Sequence, residues 1–87
     1  MDITTGTVVI SRAGHDSGRA MLVVGVDGGF VLVADGKERK LEKPKKKNKK
    51  HVRATRRVIS TEGLTDRSLQ RTLRELFEQD SALQESE

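Results

Sequence analysis

The chain has 87 residues with a formal net charge of +4, and it contains no Cys, no Tyr, no Trp and two Phe. That length holds one small domain and leaves no room for a large catalytic cleft, while the lack of Cys removes disulfides and thiolate metal sites. Phe30 and Phe77 cannot form the aromatic clusters that single-strand readers, Pro-rich-peptide barrels and methyl-lysine cages need.

In chain order, the N-terminus Met1-Asp2-Ile3-Thr4-Thr5 lacks the basic and apolar segments of a secretory signal. No apolar run later in the chain reaches the length of a membrane span, so a cytoplasmic location is expected. Thr7 to Ser11 is a β-branched run that predicts a first strand. Arg12 to Gly18 then reads as a loop, with two Gly and small polar residues. Arg19 to Val26 and Phe30 to Ala34 are rich in Val and Leu, and Asp27-Gly28-Gly29 between them predicts an antiparallel hairpin. Leu22, Val24 and Val26 fall on one face and Met21 and Val23 on the other, so both faces are apolar and one needs cover from another element.

Asp35-Gly36-Lys37 predicts a turn and Arg39-Lys40-Leu41 a short fourth strand, after which Pro44 and the lysine run are expected to stop regular structure. The run itself reads as a mobile loop that orders only against a counter-charge, because its like charges repel and bury nothing. Val52 to Ile59 is β-prone and predicts a fifth strand closing the sheet. Leu64, Leu69, Leu73, Leu76, Phe77 and Leu83 recur at helical spacing and predict an amphipathic helix over Asp66 to Gln79. Thr65 is its expected N-cap, and Leu64 and Leu69 form a hydrophobic staple. That helix either covers the sheet or binds a partner. The expected organisation is a barrel over residues 1–60, containing a basic loop 42–51, followed by the helix and an acidic tail over 61–87.

Charge is distributed in blocks. Residues 37–57 carry twelve basic residues against two acidic ones, a local charge of +10, whereas residues 1–36 are −2 and residues 58–87 are −4. Basic charge gathered into a patch attracts phosphate polymers. Gly14 and Gly18 can adopt positive φ and bring loop amides near phosphate oxygens, with Arg12 and Arg19 as flanking forked donors, although a simple tight turn needs the same glycines.

The order Gly6-Thr7-Val8-Val9-Ile10-Ser11-Arg12-Ala13-Gly14-His15-Asp16-Ser17-Gly18-Arg19, the strand to Val26 and the returning strand from Phe30 to Gly36 resemble the KOW motif. The resemblance is to bacterial KOW-domain RNA-binding proteins similar to large-subunit ribosomal proteins, and it covers residues 6–36 together with the basic segment. One departure stands out: KOW motifs often have a second Gly soon after the basic residue, where this chain has Ala20 and Met21. The resemblance implies a mainly β fold, a small SH3-like barrel of about five strands with a C-terminal α-helix, in which Gly6, Gly14, Gly18 and Arg19 take the motif positions and Arg12 to Arg19 contact RNA.

The expected function is RNA binding through phosphate backbone and shape, on ribosomal RNA or a ribosome-associated RNA. The expected contacts are Arg12, Gly14, His15, Gly18, Arg19, Lys37, Arg39, Lys40, Lys43, Lys45, Lys46, Lys47, Lys49, Lys50, Arg53, Arg56 and Arg57. Lysines supply point charge and arginines directional pairs. No cofactor or metal is expected: His15, Asp16 and His51 are conceivable ligands, but His51 lies within charge that repels cations. No enzyme is expected either, since Ser11 and Ser17 near His15 have no buried carboxylate to orient the imidazole. The free chain is expected to be a monomer, without a membrane partner but with ribosomal or transcription proteins as further partners. Two rival functions remain: a protein-interaction module of the translation or transcription machinery docking through its C-terminal helix, and a non-specific DNA binder.

Overall fold

The computed structural model describes residues 3–79. The acidic tail, Leu83 included, lies outside them. Five strands and one α-helix follow in order: β1 Thr7–Ser11, β2 Ala20–Asp27, β3 Phe30–Ala34, β4 Lys45–Asn48, β5 Val52–Val58 and α1 Asp66–Gln79. All strand pairings are antiparallel, in the order β4-β3-β2-β1-β5.

The connections force this sheet to roll. β4 and β5 are its opposite edges, about 19 Å apart if it were flat. Yet a single 3-10 turn of three residues, Lys49–His51, joins them, and it rises only about 6 Å. The edges must therefore curl toward each other. The turn is pinned at both ends: the Lys49 amide donates to Gly29 O (3.0 Å) at the hairpin tip, and the Arg12 amide donates to His51 O (2.7 Å) beyond β1. Register irregularities between Val23 and Gly25 of β2, and opposite the Thr7–Val9 stretch of β1, add the local twist that such a curl requires.

Alternation along the strands produces two apolar layers. Val9, Met21, Val23, Val31, Val33 and Val52 fill the inside of the roll. Val8, Leu22 and Ala34 face outward and are covered by Leu69 and Leu73 of α1. Full burial of side chains of this size contributes about 1.5–3 kcal/mol each, so the helix supplies a large part of the stability of so small a domain. Thr65 caps it as expected, with Oγ1 accepting from the Ser68 amide at 3.1 Å and the Thr65 amide donating to Ser68 Oγ at 3.0 Å. Leu64 packs on the same outer layer as Leu69.

Two expectations are corrected. Arg39-Lys40-Leu41 is not a strand. Asp35 Oδ1 accepts from the Lys37 and Arg39 amides (2.9 Å each), folding the chain into a tight turn, and Asp66 Oδ1 accepts from the Leu41 amide (2.7 Å), so these amides are unavailable for a ladder. Gly36 closes this turn with φ +82, against the first residue of α1. The fourth strand instead lies within the lysine run, which is neither a mobile loop nor a stop. Lys45 to Lys47 pair with Val33 to Val31 of β3, and the counter-charges that order them are Asp16 and Asp27 of the same chain.

Candidate nucleic-acid interface

β4 sorts its lysines by parity. Lys45 and Lys47 lie opposite Val33 and Val31, residues of the inner layer, whereas Lys46 lies opposite Leu32. Lys47 is only 7% exposed. Its Nζ donates to Ala13 O at 2.9 Å and to Asp16 Oδ1 at 3.0 Å, and Ser11 Oγ donates to the same carboxylate oxygen at 2.7 Å. Lys45 Nζ stands 3.8 Å from the other oxygen. Lys46 turns outward, its ammonium 4.8 Å from the Phe30 ring centroid and 3.4 Å from Asp27 Oδ2.

Asp16 is thus the anchor of the Arg12 to Arg19 loop. Partial burial alone would raise its carboxyl, but the hydrogen bonds from Ser11 and Lys47 and the charges of Lys47 and Lys45 outweigh that effect and hold it below the ordinary aspartate value. Gly14 and Gly18 both take positive φ, +86 and +87. The amides of Ser17, Gly18 and Arg19 donate to Gly14 O, Ser11 O and Asp16 O, so this half of the loop is a hydrogen-bonded turn. Among the described residues the Gly14 and His15 amides at its tip have no acceptor and are exposed. The loop therefore combines both uses of its glycines, a turn at the C-terminal half and two open donors at the tip.

Across from the loop, Arg19 Nη1 lies 3.4 Å from Glu38 Oε1 and 3.8 Å from Asp35 Oδ2. His15, Arg19, Arg39 and Lys45 line a cleft of about 360 Å³ together with the carboxylates Asp16, Asp35 and Glu38. These ion pairs differ in consequence. Exposed pairs such as Lys46–Asp27 contribute about 0–1 kcal/mol and can be exchanged for a phosphate, whereas the buried Lys47 cannot leave Asp16 without exposing an uncompensated charge.

The expected contact residues therefore divide by position. Arg12, Gly14, His15, Gly18 and Arg19 lie on the loop with Lys45 beside Asp16, Lys49 and Lys50 sit on the 3-10 turn that runs from the hairpin tip at Gly29 to Arg12 just past the end of β1, and Lys47 reaches the loop but is enclosed. Lys37, Arg39, Lys40 and Lys43 are exposed on the segment that docks on the start of α1, with Arg39 alone reaching the cleft. Arg53 is half-buried opposite Ile10. Arg56 and Arg57 are exposed at a bulge where Thr55 Oγ1 donates to Val8 O at 2.6 Å, and they stand about 13–17 Å along β5 from Val52, away from the loop. No protein-family model and no curated protein matches this sequence.

Sequence reasoning missed Asp16 as the organiser of the loop. Nothing local could reveal it, since its partner Lys47 is 31 residues away and only the roll of the sheet brings them together. It also passed over Arg67, Arg71 and Arg74 of α1, whose helical spacing was a readable signal. Among the described residues no helix is long and apolar enough to cross a membrane.

Proposed function

We propose that this chain is a KOW-type RNA-binding protein of the cytoplasm, monomeric when free, that engages ribosomal or ribosome-associated RNA through its phosphate backbone and shape. The observation that carries this reading is the ordered juxtaposition of the glycine loop with the lysine strand: Asp16 of the loop lies within 3.8 Å of the ammonium groups of both Lys45 and Lys47. The roll of five antiparallel strands is compatible with the SH3-like barrel of that family. Lys46, Lys49 and Lys50 act as point charges on phosphates, Arg12 and Arg39 as directional donors, and the Gly14 and His15 amides as short-range contacts at the loop tip. Phosphate contacts position a protein and carry little sequence information, so shape decides which RNA is held. Neither a cofactor nor a reaction enters this mechanism.

Leu69, Leu73 and Leu76 of the helix, with Leu64 just before it, pack on the sheet, which favours the RNA reading over docking of a partner through that face. The test of RNA binding is a salt titration with an A-form RNA hairpin. Neutralising about five phosphates gives a slope of log affinity against log salt of about −3.5 to −4.5, and Lys46, Lys49 and Lys50→Gln should reduce it. Competition with B-form DNA and with single strands at fixed salt separates the nucleic acids; equal affinity for B-form DNA would replace this proposal with non-specific DNA binding.

A further inference from the structure

We infer that the exposed face of α1 carries a second phosphate-binding ridge, Arg67, Arg71 and Arg74, that prolongs the RNA surface past the glycine loop; this rests on the RNA-binding reading above. At 3.6 residues per turn the three positions fall within an arc of about 60° and span about 10 Å along the axis. They lie on the side opposite Leu69 and Leu73, which are buried against the sheet, and all three are exposed. Helical packing thus fixes the direction in which the ridge points.

The guanidinium groups are uncommitted. Glu75 and Glu78 stand four residues after Arg71 and Arg74, where helix ion pairs form readily, yet among the described residues no hydrogen bond or ion pair engages any of these arginines. A face serving solubility alone gains most from such pairs. The residue type is also selective: every basic residue after position 58 is Arg, in a chain whose central run is mostly Lys. Arg supplies the forked, weakly hydrated donor suited to phosphate.

Continuity identifies the occupant. Arg74 borders a cleft of about 230 Å³ with Gly18, Arg19 and Phe77, and a second of about 230 Å³ with Lys37 and Gln70. The ridge therefore runs into the loop end of the interface and the adjoining turn without a gap. A single sugar-phosphate strand crossing from the lysine strand over the loop and onto α1 would meet Lys45, Arg19, Lys37 and Arg74 in turn, and would exchange with Asp35 and Glu38 for Arg19 on the way.

The experiment compares wild type, Arg67/Arg71/Arg74→Gln and Lys46/Lys49/Lys50→Gln for binding to an A-form RNA hairpin with a single-stranded extension, at 50 and 200 mM salt. Loss of two to three phosphate contacts makes the salt slope shallower by about 1.4–2.7, so the wild-type advantage over the arginine variant should shrink about 7- to 40-fold between the two salts. Its melting curve should not move, since among the described residues the replaced guanidinium groups make no hydrogen bond or ion pair. A photoreactive side chain at position 71 of the full chain should crosslink to the extension. If the lysine variant weakens binding while the arginine variant binds as wild type with no crosslink at 71, the ridge is refuted and RNA binding by the loop and lysines stands. If wild type itself does not bind RNA, both fall. If the arginine variant keeps RNA affinity but loses capture of an acidic peptide, the ridge serves a protein and the inference is wrong.

Discussion

Replacing Lys47 with Met separates structural charge from binding charge in the lysine run. The substitution keeps an unbranched apolar stem but removes two hydrogen bonds, to Ala13 O at 2.9 Å and to Asp16 Oδ1 at 3.0 Å. Removing one partner of a fully buried ion pair costs about 3–5 kcal/mol. Asp16 keeps its bond from Ser11 and the nearby Lys45 and is 15% exposed, which reduces the expected loss to about 2–3 kcal/mol. For a domain of this size that lowers the melting temperature by roughly 10–20 °C. The assay is urea and thermal unfolding followed by far-UV circular dichroism, because the chain has no Trp or Tyr for fluorescence. Combining Lys47→Met with Asp16→Asn should show a coupling of about 1–2 kcal/mol. Lys50→Gln should do the opposite, weakening RNA binding with no change in stability. Should Lys47→Met melt within about 0.5 kcal/mol of wild type and weaken RNA binding as Lys50→Gln does, Lys47 is a surface contact and the anchoring argument fails.

Three further outcomes follow from the same geometry. Gly36→Ala places a Cβ against the backbone oxygen of Asp66 at a φ of +82, so it should cost at least about 3 kcal/mol in denaturant unfolding, far more than Gly28→Ala at an open turn. Thr65→Ala removes the cap of α1 and should cost about 1 kcal/mol without altering RNA affinity. Asp16 is depressed in the folded state, so its stabilisation is fully present above the unfolded aspartate value and is lost as pH falls through the lower folded value. Acid unfolding below about pH 4 should therefore be shallower in Asp16→Asn than in wild type.

Most of the fold was legible because it is written in local pattern. The runs around Val8, Val23 and Val31, the Asp27-Gly28-Gly29 turn, and the Leu64 to Leu76 spacing each specify an element from neighbouring residues, and the two apolar faces of the hairpin predict a covering helix. What local pattern does not contain is the partner across the sheet. Lys45 to Lys47 read as self-repelling because their counter-charges, Asp16 and Asp27, lie 19 to 31 residues away. Arg39 to Leu41 read as a strand because its amides' acceptors, Asp35 and Asp66, act through side chains that a β-propensity count does not see. The candidate site was legible as composition, a basic block beside a glycine loop, but its division into inward and outward lysines required register.

An ordered lysine strand binds differently from a tether. A mobile run must lose backbone freedom on binding, about 1–2 kcal/mol per residue fixed, before any phosphate contact becomes favourable. In β4 that cost is met during folding, by the ladder to β3 and by Asp16 and Asp27. The consequence is geometric as well as energetic: with Lys46 outward, Lys47 enclosed and Lys49 and Lys50 on a pinned 3-10 turn, the cations form a fixed array. If the chain binds RNA as proposed, such an array would discriminate by the spacing of phosphates, which a flexible run of equal charge cannot do. On the proposed RNA-binding reading, charge would bring the nucleic acid to this surface and the roll of the sheet would select among backbone shapes.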